Sequence, residues 1–258
     1  MNQAKKSNTT TAIPLSSDST SFNSFCSSLS GLQQTYEWRA ISRKYPKSFT
    51  GMPDEIFDSL EAANQAGYDI FITVNETDGV DVKQANITRV RALFADFDGS
   101  PLSNLDRIPL KPSFTVNTSP GKHHAYWLID GCPLDEFKPM QQKLAHILDS
   151  DPAVCDLGRI MRVPGFYHLK GDPFMVTIDC PEQLNRYSFA DMKNALSSLA
   201  PINDVTARYS LKVGCTEGSR NTALTSLAGG LIHDCLSDAA AIQALMDWNT
   251  RNTPPLPD

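Results

Sequence analysis

Two aspartates one residue apart, at the end of an apolar run, constrain this chain more than any other feature. The stretch is Arg89-Val-Arg-Ala-Leu-Phe-Ala-Asp-Phe-Asp-Gly99. In a β-strand, residues i and i+2 point to the same face. A strand here makes Asp96 and Asp98 project side by side, while Phe97 turns toward a core. Adjacent carboxylates repel each other unless a cation sits between them. Hard divalent cations such as Mg²⁺ and Mn²⁺ favour oxygen ligands of this kind. Gly99 permits a sharp turn away from the site. Taken alone, the stretch fits a metal site and also an ordinary strand end followed by an Asp-Gly turn.

The rest of the composition sets bounds. A chain of 258 residues makes one large domain or two modest ones. With 41% hydrophobic and 20% charged residues, a soluble globular protein is expected. No apolar run approaches the roughly 20 residues needed to span a bilayer, so no membrane partner is expected. Lys5 and Lys6 are not followed by an apolar segment, so a secretory signal is not expected either. The six cysteines are widely spaced and form no Cys-x-x-Cys pair, which argues against a zinc site. They read as reduced thiols in a cytoplasmic protein. The net charge of −6 argues against indiscriminate nucleic-acid binding over the whole surface. It leaves room for a local basic groove around an acidic metal centre.

Along the chain, residues 1–20 are rich in Ser, Thr and Asn and read as a disordered tail. Phe22, Phe25, Leu29 and Leu32 recur at helical spacing. Tyr36–Ile41 reads as a strand, with Arg39, Arg43, Lys44 and Lys47 in and after it. Pro53 to Gly67 is a helix, with Pro and acidic residues at its start and Gly at its end. Strands follow at 68–74, 89–98, 113–117, 123–129 and 174–178, and helices at 133–149 and 188–199. Residues 151–165 fit neither period. Residues 201–216 read as a linker, and 217–252 as a small domain of two helices bearing Leu224, Leu227, Leu231, Ile242, Leu245 and Trp248 inward. Residues 253–258 are a Pro-rich end. The fold class is α+β over 21–200, followed by the helical unit.

Two further segments carry chemistry. Thr118-Ser-Pro-Gly-Lys122 is a turn of small residues whose free backbone N–H groups suit an anion, with Ser119 and Lys122 as added donors. The strand after it holds His123 and His124 on opposite faces, and one of them reaches the site to donate to phosphate. In Asp156-Leu-Gly-Arg-Ile-Met-Arg-Val-Pro-Gly165, Asp156 is a candidate third carboxylate. On a helical turn Arg159 and Arg162 share a face, and arginine forks match phosphate oxygens.

In this order, Asp-x-Asp, the Ser/Gly turn with His124-x-Tyr-Trp, and Cys155-Asp156 with two arginines before Pro-Gly resemble the archaeo-eukaryotic primase superfamily. Within it they are most similar to the RepB-like primase domains of phage and plasmid replication proteins. Phe71–Gly79 is similar to the same domains, and Gly218–Gly229 with Trp248-Asn249 resembles a helical primase C-terminal domain. The resemblance covers about 35–252. It implies an RRM-like antiparallel sheet with a second small α/β unit, the site lying between them. It also implies a DNA primase or primase-polymerase working by nucleotidyl transfer. Asp96, Asp98 and Asp156 would hold two Mg²⁺ or Mn²⁺ ions roughly 3.5–4 Å apart. Ser119, Lys122, His124, Arg159 and Arg162 would bind the incoming NTP or dNTP. Trp38 and Arg39 would meet a single-stranded DNA template, and a replicative helicase, fused or separate, would be a partner. Some relatives carry a zinc element, for which no ligands are seen in this chain.

Two rival classes make different demands. A rolling-circle nicking endonuclease needs two histidines on one strand face, and His123 and His124 are adjacent. A non-catalytic single-strand or origin-binding module needs exposed aromatic and basic residues but no aspartate cluster.

Overall fold

The computed structural model describes residues 16–42, 45–199, 214–233 and 238–257. Most of the expected tail (1–15), Arg43 and Lys44, and most of the expected linker (201–213) lie outside the described residues. The N-terminal half contains α1 (Ser19–Leu29), β1 (Tyr36–Ile41), β2 (Lys47–Gly51), α2 (Pro53–Gln65), β3 (Asp69–Thr73), β4 (Glu76–Thr77), β5 (Ile87–Arg89) and β6 (Ala92–Asp98). Then come β7 (Phe114–Ser119), β8 (Lys122–Asp130), α3 (Leu134–Leu148), β9 (Ile160–Arg162), β10 (Tyr167–His168), β11 (Phe174–Met175), β12 (Thr177–Asp179), β13 (Arg186–Ser188) and α4 (Phe189–Ser197). Two C-terminal helices follow, α5 (Arg220–His233) and α6 (Asp238–Asn249).

The first sheet, in the order β2-β1-β3-β9, is antiparallel throughout. The alternating sequence of β1 gives it two unlike faces: Tyr36, Trp38 and Ala40 are buried, whereas Glu37, Arg39 and Ile41 are partly open. Trp38 is therefore a core residue. Its indole packs 5.4 Å from Phe22 and 5.5 Å from Tyr36, and its Nε1 donates to the Gly51 carbonyl at 3.2 Å. The expectation that Trp38 meets a template is overturned, because strand alternation sends it and Arg39 to opposite sides.

The second sheet runs β12-β7-β8, with β6 on the other side of β8 and β13 parallel to its end. Helix α1 joins the two sheets. Asp18 caps it by accepting from the backbone of Thr20 and Ser21. Phe22 reaches Trp38 in the first sheet, and Phe25 lies 5.7 Å from Phe114 and 5.9 Å from Tyr126 in the second. The start of α1 sits on the Pro164-Gly165 turn, where the Asp18 N–H donates to the Gly165 carbonyl at 2.8 Å. Gly165 has φ +91°, and a Cβ there would lie 2.4 Å from the Asp18 carbonyl oxygen, so only glycine allows this approach.

Helix α3 carries the expected apolar face of Phe137, Leu144, Ile147 and Leu148. In the C-terminal pair, Leu231 and Trp248 are buried, but Ile242, expected inward, is exposed. The segment 151–165, which fits neither period, contains β9. Arg159 and Arg162 thus do not share a helical face. No helix among the described residues is long and apolar enough to cross a membrane.

Replacing Trp38 with Ala should lower unfolding stability by about 3–5 kcal/mol in denaturant titration. Arg39→Ala, on the open face, should stay within about 0.5 kcal/mol.

Candidate active site

Strand register assembles the acidic end of β6. Asp96 stands opposite His124, and Asp98 opposite Lys122, on β8. Ser119, at the end of β7, stands opposite Lys122 from the other side. A register shift between Asn117 and Ser119 and the tight turn at Gly121, with φ +74°, bring Ser119 there. Lys122 Nζ lies 2.6 Å from Asp98 Oδ1. His124 Nε2 is 3.8 Å from Asp96 Oδ1. His123 stands opposite Phe97, so the two histidines take opposite faces.

The outer edge of β6 is closed by side chain and loop rather than by another strand. Gln141 of α3 accepts from the Phe94 N–H at 2.9 Å and donates to the carbonyls of Phe94 and Val154, both at 2.8 Å. One residue pair further along, the Asp151 N–H donates to the Asp96 carbonyl at 2.9 Å. That bond seats a carboxylate the sequence reading missed. Its signal was faint: Asp151-Pro152 is a turn start, and Asp151 Oδ1 accepts from the Ala153 N–H at 2.9 Å.

Burial pushes the Asp96 carboxyl up to about 6, with Asp151 and then Asp98 adding repulsion against the opposing charges of Arg162 and Lys122. Burial, with the charges of Arg162 and His123, pulls the His124 imidazole down to about 3. His124 is therefore neutral at physiological pH, and its contact with Asp96 is not an ion pair. The Tyr126 hydroxyl lies 3.3 Å from His124 Nδ1, and its own ionisation is pushed far up by burial and by Asp96. With Tyr126 donating to Nδ1, the His124 proton sits on Nε2, facing Asp96.

Asp156 is not brought to this cluster. It is 58% exposed, pairs with Arg159 at 2.7 Å and lines a separate cleft with Leu134, Lys138 and Gln142. Arg159 also donates to the Ala153 carbonyl, so it braces the 153–156 loop. Arg162 behaves differently. Its guanidinium lies over the Phe71 ring at 4.9 Å and its Nη1 is 3.1 Å from Asp69 Oδ2. His168 Nδ1 is 3.2 Å from the same carboxylate oxygen. Asp69 and His168 were also missed, being about a hundred residues apart in the chain.

The first sheet's open face carries a cross-strand row, Ser48–Arg39–Phe71–Arg162, in which Arg39 donates to Ser48 Oγ at 2.7 Å. A cleft of about 830 Å³ is lined by Lys47, Tyr68, Asp69 and Lys170 and does not include Asp96, Asp98 or Asp151.

Among the described residues no three His, Cys, Asp or Glu side chains already converge as a metal cage. The donor set at the end of β6 nevertheless suits a hard divalent ion: carboxylate oxygens of Asp96, Asp98 and Asp151, with Asp96 raised first by burial and then by the repulsion of the other two.

Asp96 should leave a mark on stability. Its folded carboxyl holds a proton more tightly than the unfolded chain, where it titrates near 3.8. Its contribution is complete below that pH and is lost as pH rises through about 6. In thermal melts, Asp96→Asn should stabilise the protein by about 1–3 kcal/mol at pH 7.5 and leave it unchanged at pH 3.5.

Residues 79–209 match the family described as the RepB DNA-primase N-terminal domain, and residues 208–258 match primase C terminal 1. No curated protein matches the chain. Among solved structures, it is similar to the AEP domain of the cyanophage S-2L primase-polymerase, with a TM-score of 0.59 and 22% identity over 70% of this chain and all of that one. It is more distantly similar to primase RepB′, with a TM-score of 0.45 and 16% identity over 83% of this chain and 81% of that one. The mixed fold of antiparallel sheets and a small helical C-terminal region, taken with the family match over half its length, places this chain in the RepB DNA-primase family, as a DNA primase of the nucleotidyltransferase class.

Proposed function

We propose that the end of β6 is the catalytic centre, with Asp96, Asp98 and Asp151 as its metal-binding carboxylates, in a primase of a phage or plasmid replication system. The observation that carries this reading is the closure of the β6 edge. It sets Asp151 against Asp96, so three carboxylates share one end of the sheet, beside Lys122 and within range of the Arg162 charge. Mg²⁺ or Mn²⁺ held by these oxygens would supply charge neutralisation at the phosphates and activation of the attacking oxygen.

The chain's own residues do the positioning. Lys122 and Ser119, at the β7–β8 turn, offer an ammonium and a hydroxyl to the triphosphate of an NTP or dNTP. Arg162 on the first sheet, with His168 on β10 beside it, offers a second set of donors. His124 is neutral and carries its proton on the site side. It donates a hydrogen bond without adding charge, which suits an oxygen whose charge grows during phosphoryl transfer. In the transfer itself, the primer 3′-oxygen bonds to the α-phosphorus as the bond to pyrophosphate breaks.

A single-stranded template would lie over the open face at Arg39, where the guanidinium meets a backbone phosphate. The chain would then be organised as a catalytic unit over about 21–200 and a helical unit over about 217–252. A replicative helicase, fused or separate, remains the partner that such a primase would serve.

Primer synthesis on single-stranded DNA without a starting primer, with Mg²⁺ or Mn²⁺ and labelled nucleotides, tests the assignment. Asp96→Asn and Asp151→Asn should each reduce product by at least about 100-fold, while Asp156→Asn should stay close to wild type. The opposite ranking of Asp151 and Asp156 would overturn the proposed carboxylate set.

A further inference from the structure

Asp69 holds more partners than any other acidic residue near the site, and the reaction as described gives it no role. It opens β3. Its Oδ2 is 3.1 Å from Arg162 Nη1. His168 Nδ1 lies 3.3 Å from Oδ1 and 3.2 Å from Oδ2, and the Leu169 N–H donates to Oδ1 at 2.8 Å. The three side chains are mostly buried, at 18%, 18% and 13% exposure, so this is not a solvated surface pair.

Resting on the reading that Arg162 and His168 hold the incoming triphosphate, we propose that Asp69 is the positioning residue for both. One carboxylate fixes the Arg162 guanidinium from one side and the His168 ring from the other, and ties the His168-Leu169 turn to the sheet.

The chemistry of the two partners supports this role. A carboxylate facing Nδ1 keeps the proton on that nitrogen and aims Nε2 away from Asp69. Arg162 is placed by stacking on Phe71 and by charge, with its buried Nη1 turned to the Asp69 carboxylate. The side chain as a whole keeps 18% exposure, which leaves the rest of the guanidinium a surface for an anion. A purely structural latch would need only the bond to Leu169. It would not need a guanidinium and an imidazole at the same carboxylate. The Arg162 charge is felt at Asp96 and His124, so its placement reaches the catalytic end of β6.

Steady-state primer extension over a range of nucleotide concentrations tests the proposal. It would compare Asp69→Asn, Arg162→Ala, His168→Ala, and Asp69→Asn combined with each of the other two. The amide retains an oxygen for the Leu169 N–H. Asp69→Asn should raise the nucleotide KM by roughly tenfold, change kcat much less, and leave the melting curve near wild type. In the Arg162→Ala or the His168→Ala background the same substitution should raise KM by clearly less than it does in the wild type, because one of the two groups being positioned is gone.

Full additivity in both backgrounds, or a lowered melting temperature with unchanged KM, would overturn the positioning role. If Arg162→Ala and His168→Ala raise KM but Asp69→Asn does not, Asp69 alone is misassigned. If those two variants keep the wild-type KM, the triphosphate reading fails, and the proposal with it. A measurement on the unaltered protein stands independent of any variant's folding: ¹⁵N-resolved NMR of the His168 ring should find a proton on Nδ1. A neutral ring protonated only on Nε2 would overturn the proposal.

Discussion

The exposed edge of β6 has to be closed, and the way it is closed delivers the site. A strand edge left open in the interior leaves peptide groups without partners, which is costly. Here one glutamine serves both groups of Phe94, and the next outward carbonyl, that of Asp96, is taken by Asp151. The same Gln141 amide holds Val154, three residues beyond Asp151. Helix α3, the edge strand and the loop after the helix are therefore joined at one point. A glutamate at 141 could not do this, since the position must accept from one peptide group and donate to two carbonyls.

This closure holds an unfavourable arrangement in place. Burial and two neighbouring carboxylates raise Asp96, while Arg162 and Lys122 oppose them. The opposing charges come from different layers. Lys122 belongs to the second sheet, facing Asp98 directly. Arg162 belongs to the first, held by Asp69 and Phe71. The electrostatic balance at Asp96 thus depends on how the two sheets meet, and that junction is packed by α1 through Phe22 and Phe25. An apolar contact thus helps fix how two charged layers meet.

Much of this was legible in the sequence, for identifiable reasons. The Asp96–Asp98 pair and the split between His123 and His124 follow from strand periodicity alone, and the register of β6 on β8 agrees. The helices at 53–65 and 134–148 announce themselves by their apolar stripes and end residues. Trp38 was misjudged although its own signal was present, since Tyr-Glu-Trp-Arg-Ala-Ile alternates and places Trp38 with Tyr36 and Ala40. Asp151 was hidden for a different reason. Its position depends on a backbone bond to a strand edge, and no side-chain pattern encodes such a bond. Asp69, Arg162 and His168 meet only because β3, β9 and β10 come together, so no local window contains the cluster.

The first sheet also bears on where this protein can be cut. The segment that matches the primase N-terminal family begins at residue 79. Strands β1, β2 and β3 and the whole of α1 lie before that point, and with them Arg39, Asp69 and Phe71. A fragment trimmed to the matched segment would keep Asp96, Asp98, Asp151 and Arg162 yet lose the layer on which Arg162 rests. It would also uncover the rings of Phe114 and Tyr126 that Phe25 now covers. The smallest piece able to act as a module is thus longer than the matched segment, and it includes α1 with its Asp18 cap.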